Sequence, residues 1–162
     1  MCSIAACKSD APQFSNVPLI ELESVEQLKD ITGKDSVIKI TLYYEDGDGD
    51  IGLTEADTSA PFNFGSPYFH NLPVTYLVDN GNGEYIEFIN PSTNLPYGNQ
   101  HERIPYLTPT GKFKSISGTI DVFVGANPAL AKPDKLKFDI KLMDRDLNVS
   151  NTVTTEVIDL TH

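Results

Sequence analysis

Across residues 36–44 apolar and polar positions alternate, with Ile38, Ile40, Leu42 and Tyr44 on one side and Val37, Lys39, Thr41 and Tyr43 on the other. A period of two marks a strand. The run Leu136, Phe138, Ile140 and Leu142 alternates with Lys135, Lys137, Asp139 and Lys141, giving one buried and one wetted face, as in an antiparallel sheet. Ile116, Gly118, Ile120, Val122 and Val124 form a third such run. Residues 74–78 and 84–89 flank Asn80-Gly81-Asn82-Gly83. Asn-Gly between apolar runs predicts a hairpin, because both residues tolerate positive φ. Residues 19–25 and 152–160 supply outer strands, and 103–107 adds a short one that Pro105 keeps at an edge. Only residues 25–31 read as a helical turn.

About seven or eight short strands separated by turns, without an internal repeat, predict an all-β fold: an immunoglobulin-like antiparallel β-sandwich. A jelly roll is the alternative. In the immunoglobulin-like arrangement the loops after strands 36–44 and 136–143 lie at one end, so residues 45–72 and 144–151 become neighbours. The division expected is a leading segment, 1–17, and a β-sandwich domain, 18–162.

Composition fits that reading. The 162 residues are 40% hydrophobic and 22% charged, with 11 Gly and 11 Pro, which suits one turn-rich globular domain that buries a full core. No apolar run reaches the length of a membrane-spanning helix. The formal charge of −11 would be repelled by a phosphate backbone, which argues against nucleic acid as a partner. The imbalance is local: between Lys39 and Arg103 there are ten acids and no Lys or Arg, and six of the ten fall within 45–57.

Asp46-Gly47-Asp48-Gly49-Asp50 places carboxylates at alternate positions, separated by glycines that let the backbone curl and the side chains converge. Calcium takes six to eight such hard oxygen ligands. The match to a helical calcium loop is partial. Counting from Asp46, Ile51 stands where the invariant glycine belongs, and Asp57 replaces the closing glutamate. The expectation is therefore a strand-borne calcium loop built from Asp46, Asp48, Asp50 and Asp57. A second loop, Asp144-Arg145-Asp146-Leu147-Asn148-Val149-Ser150-Asn151, adds Asp144 and Asp146 as candidate ligands of a shared structural Ca2+ site. The competing account of that loop is an Asx-rich turn in which Arg145 pairs with an acid.

Ile4-Ala5-Ala6-Cys7 matches the pattern read by lipoprotein signal peptidase, a branched apolar residue and two small ones before the cysteine that is acylated. Residues 1–17 thus read as a signal-peptide remnant, Cys7 as the candidate lipidation site, and a polar tether containing Pro12 that leads to Pro18. The alternatives are a coincidental Ala-Ala-Cys or a small disulfide between Cys2 and Cys7. Tyr43 to Leu53, Arg103-Ile104-Pro105-Tyr106-Leu107-Thr108-Pro109 and the second acidic loop together resemble a family of small uncharacterised lipoproteins of the Bacteroidota, over about residues 36 to 160. The resemblance implies a secreted, lipid-anchored, all-β domain and transfers no catalytic residue. The expected location is the outer membrane, at the cell surface or the periplasmic face, with the membrane reached through the lipid alone.

An enzyme is not expected. His70, His101 and His162 have no companion at metal spacing, and Asp-Gly repeats chelate and solvate rather than desolvate one acid for catalysis. The rival is a binding module for glycan or protein. Phe62, Phe64 and Tyr68 lie in the long loop after the first acid run, and loops on a rigid scaffold are where recognition concentrates. Their exposure would favour a monomeric glycan or protein binder; their burial would favour a scaffold or assembly subunit.

Overall fold

The computed structural model describes residues 13–107, 109 and 112–162. Its strands are β1 (Leu19–Lys29), β2 (Asp35–Asp46), β3 (Val74–Asp79), β4 (Tyr85–Glu87), β5 (Ile89–Asn90), β6 (Leu95–Pro96), β7 (Ile116–Gly125), β8 (Lys135–Ile140), β9 (Val153–Thr154) and β10 (Ile158–Asp159). One sheet has the order β1-β2-β7. The other runs β10-β8-β3-β4, with β9 also paired to β8. All these pairings are antiparallel, and β5 and β6 form a separate small hairpin. The fold is the expected all-β sandwich.

The alternation in β2 and β8 explains the packing. Ile38, Ile40, Leu42 and Tyr44 face inward from β2, and Leu136, Phe138 and Ile140 face inward from β8. Ile20, Val74, Tyr76, Val122, Val124 and Ile158 complete one continuous core between the sheets. Fully burying each large aliphatic or aromatic side chain contributes about 1.5–3 kcal/mol. The Tyr76 ring stacks obliquely on Phe138 at 4.8 Å, and its hydroxyl donates to the Gly125 carbonyl of β7, tying the two sheets together.

The structure departs from the sequence expectation at several elements. Residues 25–31 are not a helical turn: β1 continues to Lys29 and follows β2 along its whole length, with irregularities after Leu22 and Leu28. Backbone pairing decides the conformation where an exposed edge strand has little apolar periodicity. The 84–89 strand stops at Glu87, and Ile89 turns instead into the β5–β6 hairpin. Residues 103–107 form no named strand but make the isolated bridges Leu53–Pro105 and, beside them, Leu72–Glu102. The last strand is split into β9 and β10, with Thr155 between them bonding Phe138 through backbone and hydroxyl. That splitting, together with the β5–β6 hairpin, raises the strand count to ten.

The register places the sites. β2 ends and β3 begins at the same end of the sandwich, where β8 runs out into 141–152. The β2–β3 and β8–β9 loops therefore meet, as the Ile51–Asp144 bridge shows. The chain enters β1 at this end, since Leu19 pairs with Glu45, and the Gly47 N–H donates to the Ser15 carbonyl at 2.7 Å.

Candidate metal centre

The inward row of β2 does not stop at Tyr44. Asp46 occupies the next inward position, so a carboxylate stands at 0% exposure where the pattern would place another apolar side chain. Its Oδ2 accepts from the backbone N–H groups of Gly49 (2.8 Å) and Asp50 (3.1 Å), curling the loop back on the strand end. Its Oδ1 has no hydrogen-bond partner among the described residues. The Oδ1 atoms of Asp48 and Asp50 are likewise buried and unpartnered. Ligand oxygens from these three aspartates all lie within 4.8 Å of one another.

Glycines make this convergence possible. Gly49 and Gly52 adopt φ of 68° and 96°, in the region that side chains rarely occupy. A Cβ at Gly49 would stand 2.0 Å from the Lys114 carbonyl oxygen, and one at Gly52 would stand 2.1 Å from that of Pro105. The acid loop is thereby pressed against the segment before β7.

The second loop joins the first. Asp144 is buried and accepts from the Asn148 N–H (2.7 Å) and Asn148 Nδ2 (2.8 Å). The Asp146 N–H donates to Asp50 Oδ2 at 3.1 Å. Burial, reinforced by the charges of Asp48 and Asp50, pushes Asp46 up to about 6. Burial and then the charges of Asp144, Asp48 and Asp146 push Asp50 to about 6 as well. Asp144 is raised by burial and by Asp48 and Asp146. Asp46, Asp48, Asp50, Asp144 and Asp146 thus form one electrostatically coupled group, with Asp146 at its exposed rim.

Asp57 stands apart from this group. Both its oxygens accept from Arg145, at 2.7 and 3.0 Å, and Oδ2 also accepts from the Thr54 N–H and hydroxyl. The Arg145 bond holds the Asp57 carboxyl well below the usual range. An arginine already neutralises it, so it is placed as a loop clamp rather than with the cation ligands expected from spacing.

Of the three loop aromatics, Phe64 is 84% exposed while Phe62 and Tyr68 are half-buried. Phe62 lies 5.8 Å from the Arg145 guanidinium. Arg103, one bridge away, donates to the carbonyls of Phe69 (2.7 Å) and Asp57 (2.8 Å) and sits 5.0 Å from the Phe69 ring. Phe64, Phe69, His70 and His101 form an edge-to-face row, and His101 Nδ1 accepts from the Val74 N–H. Sequence reading did not single out Arg103 or Asn71, whose side chain pairs with both backbone groups of Ile104. The signals available for Arg103 are that it is the first base after the ten-acid stretch and that it opens the Arg103-Ile104-Pro105 block. Cys7 lies outside the described residues.

Comparison of the chain with protein-family models, with curated proteins and with solved structures gives no match.

Proposed function

We propose that the chain is a lipid-anchored protein of the cell envelope whose β-sandwich is held at one end by structural calcium, and that it serves binding or envelope assembly rather than catalysis. The observation that carries the calcium reading is the convergence of carboxylate oxygens of Asp46, Asp48 and Asp50 to within 4.8 Å of one another, at side chains that each keep one buried oxygen without a hydrogen-bond partner. Buried charge without a partner is expensive. A divalent cation removes that cost, and an all-oxygen ligand set favours a hard ion such as Ca2+. Asp144 and Asp146 add negative potential to the same site from the neighbouring loop.

The envelope location and the anchor rest on Ile4-Ala5-Ala6-Cys7 and on the resemblance to Bacteroidota lipoproteins. A glycan-binding reading through the loop aromatics has the exposure of Phe64 in its favour. The non-catalytic reading is supported by the employment of His101 in backbone bonding. Calorimetric titration of metal-stripped protein tests the proposal: saturable calcium binding, lost in Asp48→Asn, is expected, and absence of binding would remove its basis. Cys7→Ser, introduced into the full chain and expressed in a host that processes lipoproteins, should shift the protein from the membrane to the soluble fraction.

A further inference from the structure

Beside the acid cluster lies an open cavity of about 410 Å3, lined by Asp48 and Asp50 of the acid loop and by Tyr106, Lys112, Phe113 and Lys114 of the segment before β7. The two segments are fixed to each other where the Lys114 carbonyl crosses Gly49 with no room for a side chain. Because Asp48 and Asp50 belong both to this lining and to the group around the orphaned, fully buried Asp46 oxygen, a cation held there borders the cavity. Calcium requires six to eight oxygens. Three are offered by the unpartnered aspartate atoms, while both Asp144 oxygens already accept from Asn148. Coordination positions therefore remain for oxygens that enter from the cavity.

The lining contributed by the segment before β7 has different chemistry. Tyr106 and Phe113 are 39% and 37% exposed; each has a cation near one face, Arg145 at 5.4 Å from the Tyr106 ring and Lys112 at 5.7 Å from that of Phe113, and the second face of an aromatic ring at a cavity mouth suits the apolar face of a sugar ring. Lys112 and Lys114 are exposed and form no ion pair among the described residues. A dianion would be repelled by Asp48 and Asp50 in the same space, whereas a ligand with hydroxyls at one end and a single carboxylate at the other matches both parts of the lining. We propose that this cavity binds an acidic saccharide, with hydroxyl oxygens completing the coordination of the calcium, the ring against Tyr106 and Phe113, and the carboxylate facing Lys112 and Lys114.

The proposal rests on the calcium reading, and two measurements let the two fail separately. Terbium luminescence, sensitised by tyrosine, reports the cation site alone. Calorimetry with galacturonate, which carries one carboxylate, against galactose, at calcium in excess over the saccharide, reports the cavity. Expected are terbium binding in the native protein and in Lys112→Met/Lys114→Met, and calcium-dependent binding of galacturonate that weakens by about tenfold or more in the double variant, the loss typical of a charge-assisted contact. Galactose should bind at least about tenfold more weakly than galacturonate. Terbium binding without galacturonate binding, or galacturonate binding indifferent to EDTA or to the double variant, would overturn the saccharide site and leave the cation site standing. Absence of terbium binding would overturn both.

Discussion

Arg145 and Asp57, 88 positions apart in sequence, meet through two hydrogen bonds of 2.7 and 3.0 Å and clamp the β2–β3 loop to the β8–β9 loop. The guanidinium also lies 5.4 Å from the Tyr106 ring and 5.8 Å from that of Phe62. One side chain therefore organises the loops that surround the acid cluster without contributing to it. Arg145→Met should make residues 54–69 more sensitive to limited proteolysis while leaving calcium affinity within about twofold of native, because the lost contacts belong to the loop. A large loss of calcium affinity in that variant would show that Asp57 and Arg145 belong to the metal site after all.

The protonation of the cluster sets the pH at which a cation could compete for its carboxylates. Asp46 and Asp50, raised to about 6 in the folded protein, hold protons that the unfolded chain, with carboxyls near 3.8, has released. In the absence of metal, these two groups favour the folded state most below about 3.8, and that contribution is lost as pH rises through about 6. On the proposed calcium reading, the cation takes the place of the protons. The increment in thermal midpoint between calcium and EDTA should consequently be small at pH 5 and grow as pH rises through about 6. Taking the difference between the two conditions cancels His70 and His101, whose lowered values affect both equally. A calcium increment that is independent of pH from 5 to 7.5 would contradict this assignment.

The glycines of the acid loop differ in what they tolerate. Gly49→Ala and Gly52→Ala combine unfavourable φ with contacts near 2 Å to fixed backbone, so each should cost more than the roughly 1–3 kcal/mol of conformational strain alone. Gly81, at φ 87° with nothing within 4 Å, is the control and should pay only the strain. Denaturant unfolding of the three variants would measure the difference.

Tyr76 bridges the sheets through its hydroxyl. Tyr76→Phe keeps the ring against Phe138 but leaves the Gly125 carbonyl without that donor, and about 1–3 kcal/mol of stability should be lost. An unchanged unfolding midpoint in urea would show that the bond contributes nothing net.

Much of this arrangement was legible in the chain. The alternation in β2, β7 and β8 reported the two facing sheets, and Asn80-Gly81 reported the turn into β4, because burial and turn geometry impose short-range patterns. The meeting of the two acidic loops followed from the sandwich connectivity. Individual partners did not. Nothing local distinguishes Asp57 from Asp50 as a ligand, since the distinction lies in Arg145 arriving from a distant strand end. The same holds for Asn71 on Ile104, and for β1, whose exposed residues beyond Val25 carry no pattern and are extended because β2 pairs with them. The inward position of Asp46 was implicit in the row ending at Tyr44; extending the alternation by one step would have identified it as the buried member of the set.

If a cation neutralises the Asp46, Asp48 and Asp50 oxygens, thermal unfolding in EDTA and in millimolar calcium, with magnesium as control, registers it as a change of midpoint. For a dissociation constant of about 0.1 mM and about 2 mM calcium, linkage supplies roughly 1.8 kcal/mol, or a rise of roughly 4–7 °C for a domain of this size. Asp46→Asn can keep the bonds to Gly49 and Asp50 through its amide oxygen while removing the buried charge. It should melt higher than the native protein in EDTA and show no calcium response. A native midpoint that is the same in EDTA and in calcium, or a calcium response that survives in Asp46→Asn, would mean that no cation is held by these three aspartates.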